Sequence, residues 1–191
     1  MAPSLPLPLP AVFLLLFLSL CSAASHKSNA PHDLIRSSCV HARYPALCLR
    51  TLSSFAGPAK TPRDLAQAAV SVSLARARRV SSYLTTVSGF KSKRERVALS
   101  DCVQEISDSV DQLSRTLNEL KHLDGAKFRW HVSNAETWVS AALTNDDTCL
   151  DGFRGVEGKV KEDFRKKITN LARVTSNALY MINRLDESRG H

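Results

Sequence analysis

The side chains of this 191-residue chain that could react or ligate are five cysteines, six histidines and a scatter of hydroxyls and carboxylates. The histidines (His26, His32, His41, His122, His131 and His191) are dispersed, mostly near loops or chain ends. His131 stands two residues before Ser133, but no third group is at hand to orient it as nucleophile–base pairs require, so it reads as a solvated loop histidine. Gly-x-Ser-x-Gly, His-Glu-x-x-His, Walker and Gly-x-Gly-x-x-Gly patterns are all missing. The expectation is a protein that binds, with no catalytic residue, metal or cofactor.

What chemistry remains belongs to sulfur. Met1 to Ala24 carries no charged side chain, holds the run Ala-Val-Phe-Leu-Leu-Leu-Phe-Leu-Ser-Leu, and ends in small residues, Cys21-Ser-Ala-Ala24. That is the plan of a cleaved secretory signal, and the run is shorter than the ~20 residues of a membrane span. Its removal takes Cys21 and leaves Cys39, Cys48, Cys102 and Cys149, an even number in an oxidising compartment. Four cysteines allow three pairings, and the sequence does not choose among them. The short spacing of Cys39 and Cys48 favours a local bridge, which would leave Cys102 for Cys149. Loop-closure entropy assigns ~2.7 kcal/mol to the short loop and ~4 kcal/mol to the long one. A zinc site is disfavoured, because no Cys-x-x-Cys pair occurs.

The elements that must position these cysteines are helical. Short pieces from Asp33 to Phe55, broken at Tyr44-Pro45, make a helical hairpin that a Cys39–Cys48 bridge would staple. Thr61-Pro62-Arg63-Asp64 is a helix start. That helix is expected to run to about Ser88, with Leu65, Ala69, Val72, Val80, Leu84 and Val87 inward and Arg76 snorkelling at the edge. Ser92 and Glu95 form a capping box ahead of a seam of Leu99, Val103, Ile106, Val110, Leu113, Leu117 and Leu120, with Cys102 beside it. A third helix is expected to start at Ser133, boxed by Glu136, with Trp138, Ala142, Asn145, Cys149 and Phe153 inward. A fourth begins near Lys161 with Phe164, Ile168, Leu171, Ala178, Ile182 and Leu185, leaving Thr175 in the one polar slot. No stretch alternates with period two. The fold class expected is all-α, an antiparallel up-and-down four-helix bundle with an N-terminal helical hairpin. Residues 1–24 are the signal, 25–59 the linker and hairpin, and 60–191 the bundle, so that 25–191 form one domain.

The net charge of +8 points to polyanions or acidic surfaces outside the cell rather than to nucleic acid. Lys91, Lys93, Arg94 and Arg96, and likewise Lys159, Lys161, Arg165, Lys166 and Lys167, crowd helix starts, where the helix dipole disfavours cations.

Tyr44-Pro45-x-x-Cys48, Ala98-Leu-Ser-Asp-Cys102, Trp138-Val-Ser-Ala-Ala-Leu-Thr144, Asp147-Thr-Cys-Leu-Asp-Gly-Phe153 and Ser176-Asn-Ala-Leu179, together with the four cysteines, resemble the plant invertase and pectin methylesterase inhibitor family. The resemblance spans the chain beyond the signal. It implies bridges between the first two and the last two cysteines, and a secreted inhibitor of the apoplast or cell wall. The chain ends at His191 without the pectin methylesterase domain that follows this domain in some relatives, so a free-standing inhibitor is expected. In the pectin methylesterase branch, the resemblance implies a stoichiometric complex that covers the enzyme's pectin-binding cleft. The target-binding positions matched by motif are Asp108, Asp111, Thr148 and Asp151. In the invertase branch it implies a Pro-Lys-Phe loop inserted into acid invertase; here Lys127-Phe128 match, but Ala126 replaces the proline. That replacement and the Trp138-to-Thr144 wording favour the pectin enzyme. A third reading is a basic wall protein without inhibitory activity, held by weak electrostatic contact with de-esterified pectin.

Overall fold

Capping boxes open two of the long helices, the one expected at Ser92 and another at the expected helix start Thr61. Thr61 accepts the backbone N–H of Asp64 through its hydroxyl, and the Asp64 carboxylate accepts the N–H of Thr61; Ser92 and Glu95 repeat the arrangement. The structure is a computed structural model that describes residues 30–155 and 159–187, so the signal and residues 25–29 of the linker lie outside the described residues. Its helices are α1 (Ala30–Cys39), α2 (Pro45–Leu52), α3 (Pro62–Leu84), α4 (Lys93–Lys121), α5 (Phe128–Gly152) and α6 (Lys159–Glu187), with 3-10 turns at Ser53–Phe55 and Gly125–Lys127. No strand occurs among the described residues. Helix α3 packs on α4 and α6, and α5 packs on the same two, so the four long helices close a square.

Each end of the square is tied by chemistry. At one end Arg63, near the start of α3, reaches the last carbonyls of α4: its Nε donates to Leu120 O at 3.2 Å and its Nη2 to Lys121 O at 2.8 Å. Gln67 adds a bond to Leu120 O at 2.8 Å, so carbonyls left over by the helix end gain partners. The turn that follows needs Gly125, whose φ of +65° is strained for any residue with a Cβ. At the other end Phe90, Phe153 and Phe164 form a ring cluster with centroids 4.1 to 6.1 Å apart. Phe153 and Phe164 are fully buried, and a buried side chain of that size contributes ~1.5–3 kcal/mol.

The hairpin of α1 and α2 is closed by Cys39–Cys48, with Cα atoms 5.6 Å apart. It is held to the bundle by Asn177 of α6, which is buried. The Asn177 side chain accepts the N–H of Tyr44 and donates to its carbonyl, both at 3.1 Å. The second bridge, Cys102–Cys149, joins α4 to α5 with Cα atoms 4.5 Å apart.

Five expectations need correction. Helix α3 stops at Leu84, because the hydroxyls of Thr85 and Thr86 bond back to Ser82 and Tyr83 and the backbone turns over Tyr83 O. Its buried face includes Val70, Ser73 and Leu74, and Val72 is only half-buried. Helix α5 starts five residues early, at Phe128, because Phe128 and Val132 both have core to enter; Ser133 and Glu136 lie inside the helix. Its inward line is Val132, Ala135, Val139, Ala142, Asp146 and Cys149, while Trp138 and Asn145 sit at the rim. The buried line of α4 is likewise rotated, to Ala98, Cys102, Ile106, Ser109, Leu113, Thr116 and Leu120. Leu99, Val103, Val110 and Leu117 are half-buried along its edges, and Cys102 stands in the seam rather than beside it.

Candidate functional site

The rotation of α4 and α5 decides what their outer surface presents. With Cys102 and Cys149 turned inward, the positions one step round each helix line a groove of about 440 Å³ over the bridge. Asp101, Glu105 and Arg94 come from α4, and Thr148 and Asp151 from α5. Asp108 lies one turn beyond Glu105 and Asp111 one turn further, so the acids of α4 follow a stripe of steps four, three and three. Asn145 donates to the Gln112 side chain at 3.1 Å and stitches the two helices. Beyond it Arg115 lies over the Trp138 ring, 4.9 Å from its centroid.

All four motif-matched residues are exposed and lie on the two helices that the bridge joins. Thr148 and Asp151 are brought together in the groove, whereas Asp108 and Asp111 continue outside it. Asp108 accepts a bond from Gln104 at 2.9 Å. Asp111 pairs with Arg115 at 2.8 Å, and Asp151 with Arg154 at 2.9 Å. Such exposed pairs contribute at most ~1 kcal/mol, so a partner's cation could replace either one at little cost. Asp101 and Glu105 were missed from the sequence, although their spacing to Asp108 carried the signal.

The Lys127-Phe128 pair is split by the fold. Lys127 is exposed, but Phe128 is buried as the first residue of α5, with 8% of its surface accessible. Part of the crowded positive charge is also structural. Lys161 donates to Glu95 at 2.6 Å, and that bond, with the N–H groups of Ser92 and Lys91, pulls the Glu95 carboxyl down to about 2. Lys167 lies 3.6 Å from Asp163.

A second polar group sits at the centre of the square, one residue from each long helix. Asp146 accepts hydroxyl bonds from Ser109 and Thr175, each 2.9 Å long, and Ser73 meets Thr175 at 2.8 Å. All four side chains are inaccessible to solvent. Burial pushes the Asp146 carboxyl up to about 7, against the pull of the two hydroxyls, and the nearby Asp147 charge adds to the rise. Among the described residues no arginine, lysine or histidine bonds to it, so the cluster has the character of a neutral structural layer. Among the described residues no cluster of histidine, cysteine and carboxylate could hold a metal ion, and no helix is long and apolar enough to cross a membrane.

Fold and surface define a class: a bridged four-helix bundle with a stapled hairpin and an acid-bearing outer face. Residues 33–181 match the plant invertase/pectin methylesterase inhibitor family, and the chain belongs to it. It is 52% identical to pectinesterase inhibitor 3 of Arabidopsis thaliana, over 100% of this chain and 97% of that protein. Pectinesterase inhibitor 9 of the same plant is 40% identical, covering 93% and 95%. In fold the chain is similar to the crystal structure of a mutant form of a pectin methylesterase inhibitor from Arabidopsis. The TM-score is 0.64 at 22% identity, over 76% of this chain and 92% of that one.

Proposed function

We propose that this protein is a secreted, non-catalytic inhibitor of pectin methylesterase that acts at the cell wall by forming a stoichiometric complex with the enzyme. The observation that carries the reading is the 52% identity, along the whole chain, to a relative named as a pectinesterase inhibitor. The α4–α5 surface is the docking face in this reading. Asp108 and Asp111 on α4 and Thr148 and Asp151 on α5 meet the rim of the pectin-binding cleft, and Asp101 and Glu105 extend the acidic stripe. Residues 1–24 supply the secretory signal. Burial of Phe128 leaves the invertase branch without an exposed aromatic wedge at its matched position, which favours the pectin enzyme.

The test is an inhibition assay of the purified chain against plant pectin methylesterase and acid invertase, side by side. Inhibition of the esterase alone is expected, and inhibition of invertase alone overturns the reading. Asp108→Ala with Asp111→Ala should weaken the complex by about tenfold or more if both acids bond across the interface. Unchanged inhibition by a folded double variant would reduce these acids to a solvated face.

A further inference from the structure

On the side of the square away from the α4–α5 face, α3 and α6 leave a groove of about 470 Å³ between them. Its cations are Arg76 and Arg79 from α3 and Lys166 and Lys167 from α6. They face one carboxylate, Asp163, which is already engaged by Lys167 at 3.6 Å and by the Tyr83 hydroxyl. Arg76 is the inner member. Its Nη1 donates to Asn170, but its Nε is buried and has no partner. Burial first, and then the nearby Arg79 and Arg50 charges, push the Arg76 guanidinium below its ordinary range. The protein thus holds like charges together around a half-buried arginine and supplies no anion to satisfy it. An arrangement of that kind is costly unless something outside the chain completes it.

We propose that the α3–α6 groove binds carboxylates of an acidic polysaccharide, a run of uronic acid residues. Two observations favour a sugar polymer over an acidic protein. The groove is walled by two rows on antiparallel helices, Arg76, Arg79 and Tyr83 on one side and Lys166, Lys167 and Asn170 on the other. A linear chain with a carboxylate on each unit can lie along such rows and meet successive cations. Asn170 also adds an amide, a group suited to sugar hydroxyls, while the Tyr83 ring holds the Lys167 ammonium 4.9 Å from its centroid. The choice of a uronate polymer rests on the inhibitor reading above, since the esterase exposes such carboxylates on its substrate. The two faces lie on opposite pairs of helices, so enzyme and polymer can be held together.

The experiment uses the full mature chain and polygalacturonate as probe, with fully methyl-esterified pectin as the neutral control and polyglutamate as a competitor. Arg79→Gln with Lys166→Gln removes two exposed groove cations. Lys121→Gln with Lys127→Gln removes the same charge from exposed positions elsewhere. Polygalacturonate binding should fall by about tenfold or more in the groove variant. It should stay within about threefold of the parent in the control, the loss that screened surface charges carry. Esterase inhibition should be unchanged in both. Equal losses in the two variants, equal binding of methyl-esterified pectin, or displacement by polyglutamate as effective as by free oligouronate would each overturn the proposal. Binding is read without the enzyme. A chain that binds through the groove but inhibits nothing therefore sinks the inhibitor reading and leaves the site, and the converse result does the opposite.

Discussion

Thr175 on α6 and Asp146 on α5 meet at 2.9 Å in the centre of the bundle, where neither has any surface open to water. Thr175 also contacts the Leu171 carbonyl at 3.1 Å, one turn back along its own helix. With Asp146 ionised, the hydroxyl donates to the carboxylate. With Asp146 protonated, the acid can donate to Thr175 and the hydroxyl turns to Leu171. The layer is therefore bonded in both states, and desolvation is the largest influence on which state is favoured, ahead of the two hydroxyl bonds and the Asp147 charge.

The consequence is a pH dependence of known sign. Burial raises the Asp146 carboxyl from 3.8 to about 7 in the folded protein. The folded state therefore holds this proton more tightly than the unfolded chain does. Its contribution is fully present below the unfolded value and is lost as pH rises through about 7. Between pH 5 and pH 8 the loss is ~3 kcal/mol. Asp146→Asn, which keeps the shape and cannot ionise, should remove most of this slope. Urea unfolding of both proteins at the two pH values measures it, and an equally steep loss in the variant would refute the assignment.

Below pH 4 the trend reverses. Burial would raise the Asp64 carboxyl, but the N–H groups of Lys60 and Thr61 and the Thr61 hydroxyl outweigh it, and the net shift is downward. Glu95 is lowered to about 2 by its bond from Lys161 and the N–H groups of Ser92 and Lys91. Both contribute stability above their unfolded values that is lost as pH falls through the folded ones. The stability maximum should thus lie in mildly acidic solution. Lys161→Met should flatten the acid limb of a Tm-against-pH curve, and an unchanged limb would show that Glu95 does not report the pair.

Much of this was legible in the sequence, and the reason is local. Thr61 and Ser92 announce their helices because a capping box is complete within four residues. Phe164 and Ile168 stand between polar neighbours, and Leu171 and Ile182 are themselves fully buried beside Ala172 and Met181, so the α6 seam read correctly. Leu99 next to Ala98, and Trp138 next to Val139, drew the seams of α4 and α5 to the larger side chain. The bundle instead buries the smaller one, which lets the bridged helices approach to 4.5 Å between Cα atoms. That one-residue rotation is what hid Asp146 from a sequence reading. The basic groove was hidden for another reason: Arg76 and Lys166 are ninety residues apart, and only α3–α6 packing brings them together.

The hairpin hangs on a short contact. Its polar links to α6 include the pair of bonds between Asn177 and the Tyr44 backbone and the Arg173 guanidinium 5.3 Å from the Tyr44 ring centroid. Asn177→Ala leaves the half-buried Tyr44 N–H with no partner, at a cost of ~1–3 kcal/mol, while the Tyr44 carbonyl keeps the N–H of Cys48 at 2.9 Å. Hydrogen exchange should then rise in α1 and α2 while α3 to α6 stay protected. Uniform loss of protection would mean that the hairpin and bundle unfold as one unit.

Reduction should act unequally on the two bridges. Cys102–Cys149 closes a sequence separation of 47, against 9 for Cys39–Cys48. Loop entropy gives ~4 kcal/mol for the first and ~2.7 kcal/mol for the second. Cys102→Ala with Cys149→Ala should therefore lower the denaturation midpoint more than Cys39→Ala with Cys48→Ala. The reverse order would show that native contacts of the hairpin, rather than chain entropy, set the contribution.

Lys127 and Phe128 are neighbours in sequence with different physical duties. Phe128 begins α5 inside the core, and truncating such a ring typically costs 3–5 kcal/mol, so Phe128→Ala should lower stability by ~3 kcal/mol or more. Lys127 is exposed at the end of the Gly125–Lys127 turn, and Lys127→Ala should leave stability within ~0.5 kcal/mol of the parent. If the docking face is α4–α5, both proteins, once folded, should inhibit pectin methylesterase as the parent does. A stable Lys127→Ala protein that has lost its inhibition would move the contact to this turn and overturn the assignment of the docking face to α4–α5.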